Sequence, residues 1–228
     1  MIDYKLVYCK RKTVGIYIRD RDEVYVEVRA PFKMPKKEVD RVVALKEKWI
    51  SEHISKTLKR AEQRDSFTLT YGDSVTYMGK NYPIVAKDGD RVGFDYESFY
   101  IPPDLTDREV KEACVAIYRL LAKKDLTKKT LDFGAQMSVT PNAIKINSAN
   151  RRWGSCSSKK SINFSWRLIM ADEDVVDYVV VHELAHIVEL NHSDRFWAIV
   201  GSILPDYKKR QRKLKELQKR LCEEDWGS

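Results

Sequence analysis

Long apolar runs are missing from this chain of 228 residues. The longest falls far short of the roughly 20 residues that a helix needs to cross a bilayer, so we expect no membrane span. The first residues also lack a basic segment followed by an apolar stretch, the pattern of a signal peptide, and we therefore expect a cytoplasmic protein. Internal repeats and low-complexity tracts are missing as well, which excludes fibrous and disordered classes.

Cysteine is scarce, and its four copies are too far apart to indicate a disulfide framework or a C-x-x-C metal site. They are Cys9, Cys114, Cys156 and Cys222. We therefore expect free thiols in a reducing compartment. Apolar residues make up 43% of the sequence and charged residues 33%, which is an ordinary globular balance in a chain long enough to bury a core.

Acidic residues are outnumbered, and the net charge is +8. The imbalance is strongest over residues 205–220, which hold eight lysines and arginines against only Asp206 and Glu216. A solvated helix face is the ordinary role of such a stretch. A basic surface also attracts nucleic acid or acidic partners, so nucleic acid is a candidate partner of this helix.

Strand and helix patterns divide the chain near Pro102-Pro103. They predict an α+β protein with a β-rich region over 1–103 that contains one helix, starting at Pro35, and an α+β region over 104–228. Thr106 and Glu109 form a capping-box pattern at the start of the second region. The predicted strands are Tyr4–Tyr8, Val14–Arg19, Val24–Arg29, Phe67–Tyr71, Ser74–Met78, Tyr82–Ala86, Arg91–Phe94, Ser98–Ile101, Ala143–Asn147 and Ser161–Trp166. Further helices are predicted from about Asp172, over Ser193–Ile203 and after Pro205.

One predicted helix is apolar on almost every side and yet carries three ionisable groups. His182, Glu183 and His186 interrupt a run of valine, leucine, isoleucine and alanine over 175–190. Such a helix is normally buried, and an unpaired buried charge is costly. A divalent cation would compensate, because histidines four residues apart lie on one helix face and both imidazoles reach one ion.

The remaining parts of a metal site follow from the same stretch. Glu183 lies one residue further round the helix, which suits a general base acting on a metal-bound water rather than a ligand. His192 is the expected third ligand, since Asn191 tolerates the left-handed conformation that ends a helix and would turn the chain back. Glu189 or a more distant acidic residue is the alternative third ligand. Two core histidines bonded to backbone carbonyls are the alternative to any metal, but they leave Glu183 unexplained.

Two segments together resemble the YgjP-like family of metal-dependent hydrolases. Residues 151–157 read Arg-Arg-Trp-Gly-Ser-Cys-Ser, and residues 182–197 begin with His-Glu-Leu-Ala-His and end with Asn-His-Ser-Asp-Arg-Phe-Trp. That family in turn is similar to the SprT and WLM metallopeptidases. The resemblance implies His182, His186 and His192 as Zn²⁺ ligands and Glu183 as the catalytic base. It also implies a minimal zincin-like fold for 104–228, in which a small sheet lies across the active-site helix.

The resemblance leaves the substrate contacts open. In zincins an edge strand receives an extended peptide by β-augmentation, and Ser161–Trp166 or Ala143–Asn147 is the expected strand. Trp153 is either a core residue or a substrate contact. Arg152 would pair with a carboxylate or polarise a substrate carbonyl, and Cys156 is either an inert thiol or a thiolate that blocks the metal.

The sequence thus predicts a soluble zinc metallopeptidase that acts on a peptide or protein substrate. One alternative is a nucleic-acid-associated protein, including a DNA-linked protease as the likeness to SprT and WLM proteins suggests. The other alternative is a zinc hydrolase of a non-peptide amide. Fold alone does not decide among these functions.

Overall fold

The computed structural model describes residues 2–20 and 23–227, and its architecture is α+β, as the sequence predicts. Packing separates two compact units, residues 2–67 with 222–225 and residues 68–221 with 226–227. The strands between residues 68 and 103 belong to the second unit, and the predicted division at residue 103 remains a prediction. Among the described residues we find no helix with the length and hydropathy of a membrane span.

The first unit is a three-stranded sheet with two helices. Its elements are β1 (Lys5–Cys9), β2 (Gly15–Asp20), β3 (Val24–Pro31), α1 (Lys36–Leu45) and α2 (Glu47–Asp65). The central strand β3 runs parallel to β1 and antiparallel to β2, and its side chains form the core with those of both helices. The sequence predicts one helix here, but the N–H of Lys46 bonds to the carbonyl of Val43, three residues back, and α2 starts one residue later.

The second unit has two small sheets and four α-helices. The first sheet has the order β4-β5-β7-β6 and the second has the order β8-β10-β9. The strands are β4 (Ser74–Tyr77), β5 (Lys80–Ala86), β6 (Gly93–Phe94), β7 (Phe99–Ile101), β8 (Ala143–Asn147), β9 (Gly154–Cys156) and β10 (Ser161–Ser165). The helices are α3 (Asp107–Gln136), α4 (Glu173–Ala185), α5 (Asp194–Ile203) and α6 (Tyr207–Leu221), and a 3₁₀ helix covers Trp166–Met170.

The long helix α3 organises the second unit. One side of it is buried against α4, the 3₁₀ helix, β7 and β8. Its start confirms the predicted capping box: the hydroxyl of Thr106 accepts from the N–H of Glu109, and the Glu109 carboxylate accepts from the N–H of Thr106 at 2.9 Å. Both N-terminal donors are therefore satisfied without tertiary contacts.

The predicted strand Phe67–Tyr71 is wrong. The N–H of Thr70 donates to the side chain of Asp73 at 2.9 Å instead of to a neighbouring strand. Gly72 is in the left-handed region (φ 88°), and its N–H donates to the carbonyl of Ile84 at 2.9 Å. A side-chain acceptor and one left-handed residue thus turn the chain into β4.

The sheet beside α4 excludes one of the two strands predicted for substrate pairing, and the other, Ala143–Asn147, stays a prediction. Strand β10 lies in the middle, parallel to β8 and antiparallel to β9, so the predicted Ser161–Trp166 strand has no free edge. Among the described residues the two edges of this sheet are β8 and β9. Strand patterns in the sequence do not predict β9, because Gly154-Ser155-Cys156 contains no β-branched or aromatic residue.

Replacing Thr106 by alanine should lower the free energy of unfolding by about 1 kcal/mol, because the first turn of α3 loses its hydroxyl acceptor. Thr127→Ala, in the middle of the same helix, is the matched control and should change it by less than about 0.5 kcal/mol. Urea denaturation of both variants checks this. Equal losses would show that the capping box adds nothing.

Candidate metal centre

The candidate site lies at the end of helix α4, which is largely buried. Valines and leucine on nearly every side of the helix are less than 5% exposed, and α3 and α6 pack against it. The valine run has low intrinsic helix propensity, so tertiary burial holds this helix in place. It ends at Ala185, and His186 follows with helical dihedrals (φ −66°, ψ −16°). His182 and His186 therefore keep the i, i+4 relation that the sequence predicts.

Three histidines meet at the end of α4. The ring centroids of His182, His186 and His192 lie 4.9, 5.0 and 4.8 Å apart, so they form a nearly equilateral triangle. One nitrogen from each ring falls within 4.8 Å of the others. The Nε2 atoms of His182 and His192 are 3.1 Å apart. Among the described residues these three side chains make up the group with the spacing of metal ligands.

Helix α5 supports the triangle with aromatic rings. Phe196 is fully buried, and its ring lies 4.9, 4.5 and 4.8 Å from those of His182, His186 and His192. Trp197 stacks on His192 with an interplanar angle of 23°. Tyr207 in turn stacks on Trp197 with an interplanar angle of 15°. These contacts fix ring orientations that hydrogen bonds alone do not fix.

The segment between α4 and α5 departs from its prediction in one detail. Asn191 is not left-handed; its side-chain oxygen accepts from the N–H of Ser193 at 3.0 Å. Ser193 in turn caps α5 by accepting from the N–H of Phe196. Glu189, the alternative third ligand, contacts the centre through its backbone, since its carbonyl lies 3.0 Å from Nδ1 of His186. That bond leaves Nε2 of His186 facing the other histidines.

Burial sets the charge state of the imidazoles. It lowers the pKa of His182 to about 3, and the neighbouring His186 and His192 add to this shift. Burial also lowers the pKa of His186, against the effect of its bond to Glu189. Both rings are therefore neutral at pH 7, which is the form that binds metals. Nδ1 of His182 is buried and has no hydrogen-bond partner among the described residues.

Glu183 is almost completely buried, with 5% of its surface exposed. Burial raises its pKa to about 7, and the charge of Arg152 opposes the shift. Its Oε2 atom has no hydrogen-bond partner in the described part of the chain. On the other side the carboxylate lies directly on Gly154: a Cβ atom there would stand 2.5 Å from Oε1 and 2.6 Å from Cγ of Glu183. A glycine at this position makes room for the carboxylate.

The segment 152–156 thus faces α4, although its residues contribute unequally. Arg152 is exposed and interacts with Glu183 through its charge, whereas Trp153 is half-buried. The carbonyl of Trp153 accepts from the N–H of Ser165 at 2.9 Å, which begins the pairing of β9 with β10. Cys156 is half-buried; burial and then the charge of Glu183 raise the pKa of its thiol. Its sulfur is not part of the histidine group.

These features define a class of protein. A buried helix that offers two histidines and a carboxylate, with a third histidine from the next segment, is the arrangement of a metallopeptidase. The chain belongs to the YgjP-like family, whose metallopeptidase domain matches residues 12–217. The protein is therefore a metal-dependent peptidase, and its family implies a divalent metal ion.

Other comparisons add two solved structures of metallopeptidase zymogens. Abylysin from Pyrococcus abyssi is 21% identical over 41% of this chain and 95% of its own, with a TM-score of 0.38. Jannalysin from Methanocaldococcus jannaschii is 21% identical over 42% of this chain and 96% of its own, with a TM-score of 0.36. No curated protein matches the chain significantly.

The donor set fits a divalent ion. Two nitrogen ligands at roughly 2.0–2.1 Å from one tetrahedral zinc stand about 3.3 Å apart, close to the 3.1 Å between Nε2 of His182 and Nε2 of His192. This distance also allows a hydrogen bond when one of the two nitrogens is protonated, and a shared cation would take the place of that proton. The neutral rings of His182 and His186 and the Oε2 atom of Glu183, which has no hydrogen-bond partner among the described residues, complete a site suited to a cation.

Gly154→Ala should lower the free energy of unfolding by about 1–3 kcal/mol, because its methyl group overlaps the buried Glu183 side chain. Ser155→Ala is the control: its side chain points to the other face of β9, and we expect a change below about 0.5 kcal/mol. Chemical denaturation followed by circular dichroism measures both. A neutral Gly154→Ala would mean that Glu183 has free space on that side.

Proposed function

We propose that this metallopeptidase is a zinc enzyme in which His182, His186 and His192 hold the ion and Glu183 is the general base. The triangle of imidazoles is the observation that carries the proposal. Three nitrogen ligands and one open position are the usual set of a catalytic zinc site. The buried Glu183 follows His182 on α4, and its Oε2 atom has no hydrogen-bond partner among the described residues.

The chain's own groups supply the proton transfers. When bound, Zn²⁺ acts as a Lewis acid and lowers the pKa of its water to about 7. Glu183 takes a proton from the attacking water on its carboxylate and passes it to the leaving amine. Burial raises the pKa of Glu183, which makes its carboxylate a better proton acceptor than an exposed one. Arg152, the positive charge that acts on Glu183, is our candidate for contacting the substrate carbonyl.

An extended peptide substrate pairs with β9 in this proposal. On either side of β9, the N–H of Ser157 donates to the carbonyl of Ser161 and the carbonyl of Trp153 accepts from the N–H of Ser165. The odd-numbered residues in and beside β9 therefore face β10. The backbone N–H and C=O groups of Gly154 and Cys156 therefore point away from β10, because antiparallel strands alternate in this way. A peptide that adds to this free edge passes the residue that lies on Glu183.

Peptide bonds are favoured over other amides as the substrate. The family model describes a metallopeptidase domain, and a free strand edge beside the candidate base binds a peptide backbone, which a small non-peptide amide lacks. Cys156 lines this edge as a protonated thiol in our proposal, since burial and Glu183 both disfavour its thiolate.

Metal content and cleavage separate the ligands from the base. The full chain refolded with zinc should hold about one ion, and His192→Ala should hold almost none, because a three-ligand site loses a ligand. His53→Ala, which changes the fourth histidine, is the control and should bind zinc normally. Glu183→Gln should keep the ion but cleave unfolded casein at least about 100-fold more slowly. Full zinc in His192→Ala, or wild-type cleavage by Glu183→Gln, would contradict the assignment.

Pairing with β9 is tested at Cys156. Cys156→Pro removes an outward N–H, and one lost hydrogen bond of about 0.5–1.5 kcal/mol should lower kcat/KM for peptides roughly 3- to 10-fold. Cys156→Ala keeps the N–H and should stay within about twofold of wild type. Steady-state cleavage of a fluorogenic peptide measures both. If the two variants behave alike, the substrate does not bond to this residue's backbone.

A further inference from the structure

Helix α6 carries cations on two faces, and those on one face are paired with carboxylates. On the side towards α4, Arg210 bonds to Asp206 and to the carbonyl of Asp174, and Lys213 bonds to the carboxylates of Asp172 and Asp174. Leu214 and Leu217 lie on the same half of the helix, and Leu217 is buried. These cations are neutralised and hold α6 on α4.

The opposite face carries cations in a line. Lys208, Arg212, Lys215 and Lys219 follow at intervals of four, three and four residues, and all are exposed. With 3.6 residues per turn they fall within about 60° of the helix circumference and span about 16 Å. Among the described residues no carboxylate pairs with the first three; Lys208 lies over the Tyr207 ring, and Lys219 shares Glu216. We call these four residues the basic stripe.

We propose that the basic stripe binds the phosphodiester backbone of nucleic acid. Its charge is complementary to a row of phosphates, and cation–phosphate contacts need no apolar anchor. A protein partner would ordinarily be held by apolar or aromatic side chains at the centre of the interface. The large apolar side chains that are exposed in the described residues all lie outside α6. The stripe therefore fits a polyphosphate chain better than a polypeptide.

The position of the stripe links it to the metal centre. Tyr207, directly before Lys208, stacks on Trp197, and Trp197 stacks on His192. A nucleic acid along α6 thus begins beside the wall of the histidine triangle. This binding does not depend on the assignment of the zinc ligands.

Fluorescence anisotropy of the full chain with a labelled 20-bp DNA duplex tests the proposal, with single-stranded DNA and RNA of equal length as further probes. The logarithm of the affinity should fall with the logarithm of salt with a slope of about −3 to −4, as three or four phosphate contacts require. The triple variant Lys208→Gln, Arg212→Gln, Lys215→Gln should bind at least about tenfold more weakly, with a slope near −1.

A second triple variant controls for net charge. Lys33→Gln, Lys36→Gln and Lys37→Gln remove the same charge from exposed positions of the first unit and should leave the affinity within about twofold. Absence of binding to all three probes at low salt would overturn the proposal. Equal losses in both triple variants, or tighter binding of polyglutamate than of DNA, would overturn it as well. Cleavage of casein without DNA should be unchanged in the stripe variant, which distinguishes this result from a failure of the peptidase site.

Discussion

Three ionisable side chains on a buried, apolar helix are the constraint around which the second unit is built. Glu183 is buried and the imidazoles of His182 and His186 are half-buried; burial lowers the pKa of His182 and raises that of Glu183. Within the described chain, Nδ1 of His182 and Oε2 of Glu183 are buried and have no hydrogen-bond partner. A group of this kind is costly unless a cation compensates for it. In our proposal a bound metal ion compensates for these groups, so the same ion also stabilises a helix with this sequence.

The neighbouring elements serve that one helix in different ways. Helix α5 supplies Phe196 against all three imidazoles and Trp197 against the third, so the triangle rests on packing. Strand β9 supplies Gly154, the one residue type that lets backbone lie against the Glu183 carboxylate. The same strand is an edge of the described sheet, so the element that makes room for Glu183 also carries the edge that we propose for the substrate. These few contacts therefore both pack the second unit and position the side chains of the candidate site.

Local sequence patterns predict the parts of this arrangement that one helix determines. They do not predict the parts that depend on contacts between distant residues. Histidines at i and i+4 on an apolar helix predict their own proximity, because one helix fixes it. The contact between Gly154 and Glu183 joins residues far apart in sequence, and neither residue type predicts it. Strand β9 has no β-branched residue, and Phe67–Tyr71 has strand composition but forms a turn around the Asp73 carboxylate. Pairing with β10 overrides residue propensity in β9, and a local side-chain acceptor overrides it at Phe67–Tyr71.

X-ray absorption at the zinc edge on the full, zinc-loaded chain tests the central claim most directly. Ligation by three imidazoles predicts three nitrogen neighbours at roughly 2.0–2.1 Å and one oxygen, with the multiple-scattering signal of histidine. A sulfur neighbour at about 2.3 Å would instead place the thiol of Cys156 on the ion. That spectrum, or one with a single histidine, would contradict a site formed by His182, His186 and His192.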